Sequence, residues 1–557
     1  MIVGAFLLLF SIMAYAEPCN KLANNFNVRE VARIRGGGGV VFSDLNQFNY
    51  SLHGQNRPYK SALLVGGGSF GTAIASVLSH NFTTVFVKIR NPVDYAQLLE
   101  GLHKKLVQPG TGEAIEMNII PVLTWQDLDD YTANSAIDLM VYGLPTSTIK
   151  TYTEENKAIF EKYFKQGVPL VSLSKGIDIE TKLLPDELFT QAFAQYTEQL
   201  YYLSGPSFAR ELLEGRSTSV SIASTNRSGL GNVVEMFNTA FLRVNRESDV
   251  KGLLLGGALK NPLAVAAGML NELLPGDIEI QAKLVAIGIE ELKKFYTAYR
   301  ADPATLENLS GLGDLIATTM SPQSRNRDFG GTVIKEWQKG SDGLAPAKIT
   351  VKGGVVEGFK TTKSSYLLLQ ELNIQSAYVT LLYKILYEGE SPQRLVTFVR
   401  NYVSPIGKTA VDGDAKNLAK RLRQVLSYGA GIIDALNKGK LNTQALYINY
   451  SLKEINRVGS TKFPTTVIFK STHGIVGYIK TALDPNNPYM QEGIKVGSSR
   501  NVGQFSPAAK AEIKAVKELI EALGGEAPLI KALYGIAFLG DQPISLEKVV
   551  LELAAQK

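Results

Sequence analysis

Lysine seldom sits among small apolar residues, yet Lys260 lies inside GGALKNPLAVAAG, the run from Gly256 to Gly268. Glycine and alanine let backbones approach closely, so the run reads as a buried helix, and a buried ammonium needs a partner or a task. A lysine at a helix margin, with its stem on apolar surface and its head in water, is the alternative for Lys260 taken alone. Further on, LSGLGDLIATTMSPQSRNRDFGG from Leu309 puts Asp314 and Thr318 four apart on one helical face, with Arg325 and Asn326 after a Ser-Pro turn. An aspartate can hold and tune a lysine, and an arginine fork grips a phosphate or carboxylate in a fixed plane. The expected ligand is small and anionic.

Such groups need a scaffold that brings them together. From Ser61, SALLVGGGSFGTAIASVL is an apolar strand, the glycines Gly66, Gly68 and Gly71 at G-x-G-x-x-G spacing, and an Ala-rich helix. That is the context of the dinucleotide fingerprint, in which glycines allow a tight turn and close pyrophosphate approach at a helix N-terminus. The next strand, TTVFVKIRN, ends about 22 residues after Gly66, where an NAD-selective site usually carries an acid for the ribose hydroxyls. Lys88 and Arg90 stand there instead, which favours a 2′-phosphate and hence NADP over NAD; two solvated basic residues are the alternative. Strand-like runs follow at 137–142, 168–174, 201–204 and 219–223, and alternation with helices argues an open, mostly parallel sheet. Ligands in such sheets sit beyond the carboxyl ends of strands, so Lys175, in the SKG turn, is a further candidate site cation, with an exposed turn lysine as the alternative. From about Asp249 the texture becomes helical without strands, which marks a second domain.

Composition narrows the function classes. The chain has 557 residues, 45% of them hydrophobic, and a net charge of +6 without a long basic run, so several domains are expected and nucleic acid is not implied. Cys19 is the only cysteine and the four histidines are scattered, which argues against a disulfide and against a metal centre. Residues 1–16, MIVGAFLLLFSIMAYA, end in a small-x-small pattern and read as a signal or anchor segment, although no basic residue precedes the apolar run. Residues 17–60 read as a linker.

In order, SFGTAIA, LSKGI, SGPSFARELLEG, GGALKNPLAVAAG, GLGDLIATTMSPQSRNRDFG and VVEGFKTTK resemble the NAD(P)-dependent glycerol-3-phosphate dehydrogenases of the bacterial soluble type, over roughly residues 61–400. The resemblance implies an α/β Rossmann domain, 61–248, and an all-α substrate domain of the 6-phosphogluconate-dehydrogenase-like kind, 249–404. It implies interconversion of dihydroxyacetone phosphate and sn-glycerol 3-phosphate with NADP or NAD, supplying glycerophospholipid synthesis in the cytoplasm, and pairing through helical domains, here within one chain or otherwise as a homodimer. Residue by residue, Lys260 is then the proton donor and acceptor, and Lys175 touches both substrate and cofactor. Gly205, Ser207, Asn261, Asp314, Thr318, Ser324, Arg325 and Asn326 surround the substrate. Ser69, Phe70, Arg90, Pro145, Ala209, Val355 and Glu357 join the fingerprint glycines at the dinucleotide, where Arg325 is also expected. Two motifs depart from the family: Gly143-Leu144-Pro145-Thr146 stands for Val-Pro-Ser, and Val107-Gln108-Pro109-Gly110 for a Leu-Pro-Gly loop. A non-catalytic ligand-binding or scaffold protein on the same fold, or a reductase of another small phosphorylated or keto acid, are the competing readings.

The remaining chain, 405–557, repeats the helical domain. GAGIIDALNKGKLNTQAL from Gly429 lies over AAGMLNELLPGDIEIQAK from Ala266 at a constant shift of 163, and ALYGIAFLGDQP lies over LLYKILYEGESP at a shift of 151. At the first shift Lys260 faces Arg423, Asn261 faces Gln424, Asp314 faces Gly477, and Arg325 and Asn326 face Pro488 and Tyr489. The second copy keeps apolar spacing and turn glycines and loses the charged groups, so it is expected to be catalytically inert. If single-copy relatives pair through their helical domains, the chain is a pseudo-dimer.

Overall fold

The computed structural model describes residues 57–92, 95, 106–107, 114–115, 118–132, 136–340, 356–402, 413–437, 441–462, 478–479, 481–484, 486–498, 505–522, 527–539 and 541–555. The expected signal segment 1–16, most of the 17–60 linker, and Val355 lie outside them.

An eight-stranded sheet forms the first layer. Its strands are β1 (Tyr59–Val65), β2 (Phe82–Lys88), β3 (Ile119–Val122), β4 (Ile137–Tyr142), β5 (Leu170–Ser172), β6 (Leu200–Ser204), β7 (Thr218–Ala223) and β8 (Leu242–Glu247). They run in the order β8-β7-β6-β5-β4-β1-β2-β3, with every pairing parallel except β6 with β7. Strands such as ALLV in β1 and LMVY in β4 are apolar on both faces because helices cover both sides. The sheet switches direction between β1 and β4, which are neighbours, and the ligand crevice of such sheets lies at that point. β3 and β8 were not among the runs read from the sequence, and β6–β7 is an antiparallel step in a sheet expected to be mostly parallel.

The helical layer begins at α2 (Val250–Leu273), after α1 (Ser69–Leu78) of the sheet domain. Asp249 caps it by accepting from the Gly252 N–H. Although α2 is long and apolar enough to cross a membrane, its apolar stretch is buried inside the protein. Around it lie α3 (Ile278–Ala298), α4 (Asp314–Met320), α5 (Arg325–Gln338), α6 (Glu357–Glu371), α7 (Ala377–Tyr387) and α8 (Gln393–Asn401). A π-helical turn, Leu309–Gly313, leads into α4.

The second copy follows as α9 (Gly413–Leu436), α10 (Leu441–Lys462), α11 (Pro488–Ser498), α12 (Pro507–Ala522), α13 (Pro528–Tyr534) and α14 (Ile544–Ala555). Both ends of α9 lie 163 residues beyond those of α2, and α14 starts 151 beyond α8. The helix crossings repeat in the same register. A Cβ on Gly268 would overlap the Arg327 carbonyl, and one on Gly330 the Val265 carbonyl; in the second copy Gly431 meets the Met490 carbonyl and Gly493 the Tyr428 carbonyl. All four partners are displaced by 163. Register therefore holds through α11, and the net deletion falls between Ser498 and Pro507.

Through α10 and α14 the second copy packs on β7 and β8, and through α10 also on the π-turn and α4. Thr443 Oγ1 donates to the Ser217 carbonyl at 3.1 Å, the Arg216 guanidinium to the Asn437 carbonyl at 3.4 Å, and Lys453 Nζ to Asn308 Oδ1 at 3.0 Å.

Replacing Gly431 or Gly268 by alanine forces two helix backbones apart, at a cost of about 1–3 kcal/mol. Both variants should unfold at lower temperature, but Gly431→Ala should keep the turnover of the unaltered chain at ambient temperature while Gly268→Ala lowers it, as parallel melts and rate assays would record.

Candidate active site

The site is built where α2 and α4 meet the carboxyl ends of β5 and β6. Gly256 and Gly257 make the approach possible: a Cβ on Gly256 would overlap the Ser310 carbonyl, and one on Gly257 would stand 2.6 Å from Ser204 Oγ and 3.5 Å from Lys175 Cγ. The stem of Lys175 thus lies over bare helix backbone. One turn later Lys260, 6% exposed, projects from the same helix.

Three charges converge there. Lys260 Nζ pairs with Asp314 Oδ1, and Lys175 Nζ pairs with Asp314 Oδ2 at 3.2 Å and donates to the Gly205 carbonyl at 3.1 Å. Asp314 is 2% exposed and also accepts from Thr318 Oγ1 at 3.2 Å, as their four-residue spacing suggested. Burial lowers the Lys260 ammonium to about 7; Asp314 opposes that shift and Lys175 adds to it. With both lysines protonated the trio carries one excess positive charge, which suits an anion.

Amides extend the site toward α6. Asn326 Nδ2 donates to Asn261 Oδ1 at 2.9 Å, and Asn326 Oδ1 accepts from the Gly358 N–H at 2.9 Å. Asn261 in turn reaches the Lys175 and Gly257 carbonyls at 3.4 Å. In the second copy, Gln424 Nε2 donates to the Tyr489 hydroxyl at 2.7 Å at the matching positions. The bridge survives there with different chemistry, whereas Arg423 replaces Lys260. Ser324 caps α5, its hydroxyl accepting from the Arg327 N–H, which starts the helix beside Arg325 and Asn326. Arg325 is exposed and faces Glu357, whose carboxyl desolvation pushes up to about 7 against the pull of Lys360 and Arg325.

The fingerprint loop fits a dinucleotide. Gly66 has φ +111° and a Cβ there would press on Leu144, whereas a Cβ on Gly71 would overlap the Gly66 carbonyl, so turn and helix pack as the motif requires. At Gly68 a Cβ would meet nothing within 4 Å, and no side chain caps α1 at this end, which leaves room and N–H donors for a pyrophosphate at Ser69 and Phe70. The Phe70 ring lies 5.8 Å from Lys175 Nζ, joining loop and charge cluster. Pro145 opens the turn 146–148, where the Thr146 hydroxyl is buried without a hydrogen-bond partner among the described residues, as is that of Ser207. Ala209 begins a helix packed against α1, and Gly205, at φ +146°, holds the preceding turn.

Lys88 departs from expectation. Its ammonium donates to the Ile89 and Leu123 carbonyls at 3.2 and 2.9 Å and lies 5.3 Å over Trp125, so it is spent on the fold; Arg90 is exposed. Lys360, which the sequence reading did not single out, bonds Ser147 Oγ at 3.1 Å and ties α6 to the loop after β4.

The family model described as the N-terminus of NAD-dependent glycerol-3-phosphate dehydrogenase matches residues 62–229, and the model of its C-terminus matches twice, at 249–397 and 412–548. Glycerol-3-phosphate dehydrogenase (NAD(P)+) of Chlamydia felis is 36% identical over 327 residues, 58% of this chain and 92% of that protein. The enzyme of the same name, numbered 1, from Salinibacter ruber is 32% identical over 338 residues, 60% of this chain and 94% of that protein. Among solved structures, glycerol-3-phosphate dehydrogenase of Coxiella burnetii superposes with a TM-score of 0.51 at 23% identity, over 62% of this chain and 99% of that chain, a likeness of fold.

A reaction that draws a proton from Lys260 should slow as pH rises through about 7, because the ammonium is lost, and one that delivers a proton there should speed up. Rate–pH profiles in both directions check this, and Lys260→Arg, which does not titrate in that range, should remove the opposed limbs.

Proposed function

The chain belongs to the NAD-dependent glycerol-3-phosphate dehydrogenase family, and we propose that its sheet domain and first helical copy interconvert dihydroxyacetone phosphate and sn-glycerol 3-phosphate, supplying glycerophospholipid synthesis. The observation that carries the reading is the buried pair Lys260–Asp314 beside Lys175 at the mouth of a dinucleotide fold. When bound, NAD(P) supplies or accepts the hydride. As the ketone is reduced, negative charge grows on its oxygen; the Lys260 ammonium stabilises that oxygen and gives it the proton. In the reverse direction the neutral amine takes the hydroxyl proton. Asp314 holds Lys260 in place, and Lys175 contributes a second positive charge. Asn261, Thr318 and Asn326 orient the substrate, Gly205, Ser207 and Ser324 shape its turn, and Arg325 grips the phosphate. Gly66, Gly68, Ser69, Phe70, Gly71, Pro145, Ala209, Val355 and Glu357 hold the dinucleotide. Because a consumer of NAD(P)H needs a supply of it, we place the reaction in the cytoplasm.

We infer a preference for NADP over NAD, carried by Arg90, which is exposed just beyond the end of β2. In purified chain supplied with dihydroxyacetone phosphate, Lys260→Ala should cut turnover about 10²–10⁴-fold while leaving the fold intact. Arg90→Ala should raise KM for NADPH more than for NADH. Undiminished turnover in Lys260→Ala would sink the assignment.

The second copy takes the place of a partner subunit in this reading. Its α10–α14 face is seated on the β7–β8 edge of its own chain. The matching α3–α8 face of the first copy instead surrounds an open cavity of about 340 Å³ lined by Glu290, Lys293, Phe398 and Tyr402. That asymmetry suits a two-fold pair condensed into one chain. Sedimentation should find monomers; a stable homodimer with the second copy outside the interface overturns this.

A further inference from the structure

The turn between α13 and α14 exposes apolar side chains that the first copy does not. Phe538, Leu539 and Ile544 are 41%, 71% and 44% exposed. At the 151 shift they match Tyr387, Glu388 and Gln393; Glu388 and Gln393 are also exposed. Two solvent-facing positions have therefore changed from polar to apolar without becoming buried. Ordinary drift at an exposed site carries no such bias toward large hydrophobic groups.

The cover over these rings has changed in the opposite sense. In the first copy Phe359 stacks on Tyr387 at 4.5 Å and Tyr366 stacks on Tyr383 at 3.9 Å. The matching residues of the second copy are Lys510, whose ammonium is 6.0 Å from the Phe538 ring, and Lys517, 4.7 Å from the Tyr534 ring. Two rings of the ladder are thus replaced by lysines while Tyr534 and Phe538 stay stacked at 4.6 Å. One lysine over the rings of the first copy, Lys363 at 5.8 Å from Tyr387, becomes two, and long stems lie along apolar surface while ammonium groups reach outward. Lys514 and Lys531 are exposed on the same two helices. Glu518 and Glu521 pair with Lys514 and Lys517, and Asp541 lies at the turn. Residues 412–548 hold 18 Lys and Arg against 12 Asp and Glu, an excess of six that equals the net charge of the whole chain.

We propose that this turn docks the enzyme on an anionic phospholipid surface, with Phe538, Leu539 and Ile544 entering the headgroup boundary and Lys510, Lys514, Lys517 and Lys531 facing lipid phosphates. Three exposed side chains at one turn are too few for a stable protein interface, which needs on the order of 800 Å² from each partner. They suit an interface that takes apolar tips to shallow depth and adds charge attraction. The inference rests on the repeat register and the exposed turn, and not on the catalytic reading.

The test is co-sedimentation of the full chain with vesicles of phosphatidylcholine, with and without phosphatidylserine. Binding should require phosphatidylserine and weaken with salt. The double variant Leu539→Glu, Ile544→Gln brings in the first copy's side chain types and should lower the partition coefficient about tenfold or more. Lys510→Glu with Lys531→Glu should abolish the dependence on phosphatidylserine. Turnover of dihydroxyacetone phosphate in solution should stay unchanged in every variant, which separates failure of docking from failure of the enzyme. Absence of binding by the unaltered chain, equal binding by the double variant, or loss in that variant of a chain–chain association seen without lipid would each overturn the proposal.

Discussion

Two ammonium groups share one buried carboxylate, and much of the molecule is arranged to make that tolerable. Isolated, a buried lysine loses its proton; here Asp314 holds back that loss and Lys175 promotes it, so Lys260 is balanced near neutrality. The balance requires close approach of three elements from distant parts of the chain. Glycines at 256 and 257 supply it, one admitting the π-turn that leads into Asp314 and the other admitting the stem of Lys175. Sheet domain and helical domain are thus joined through a charge cluster. Residual positive charge at that junction suits an anionic ligand before any specific contact is made.

The two helical copies separate the requirements of folding from those of chemistry. Gly268 and Gly330 recur as Gly431 and Gly493 against carbonyls at the same offset, because any side chain there would push two backbones apart. Glu291 recurs as Glu454 in sequence but not in bonding: Glu454 accepts from the Leu529 and Ile530 N–H groups at the start of α13, whereas Glu291 pairs with Lys294 and Ser376 caps the matching helix α7. By contrast, Lys260 recurs as Arg423 and Arg325 as Pro488. Close packing persists in both copies, whereas the buried lysine does not.

Much of this was readable in the sequence for identifiable reasons. A lysine among glycines and alanines announces itself, and the Asp314–Thr318 spacing fixes one helical face whatever the tertiary context. The family resemblance supplied what spacing does not, namely that Lys175 and Asp314, far apart in sequence, would line one site. Lys88 was misjudged because a position at a strand end says nothing about where a long side chain turns, and its partners include the Leu123 carbonyl and Trp125 from a later segment. β8 was missed because Arg243, Asn245, Arg246 and Glu247 give it a polar texture; Asn245 is nonetheless buried, in a small cavity shared with Asn308 and with Tyr450 and Leu553 of the second copy. β3 holds Pro121, tolerable because the strand lies at the sheet edge.

Seating the second copy on the sheet edge of its own chain changes the kinetic order of assembly. Two separate subunits meet at a rate set by their concentration, and dilution parts them. A tethered domain meets its dock at a local concentration on the order of millimolar, fixed by the linker and indifferent to how many chains the cell contains. Support for β7, β8 and the turn ahead of Asp314 is then present in the first molecule made as fully as in the thousandth.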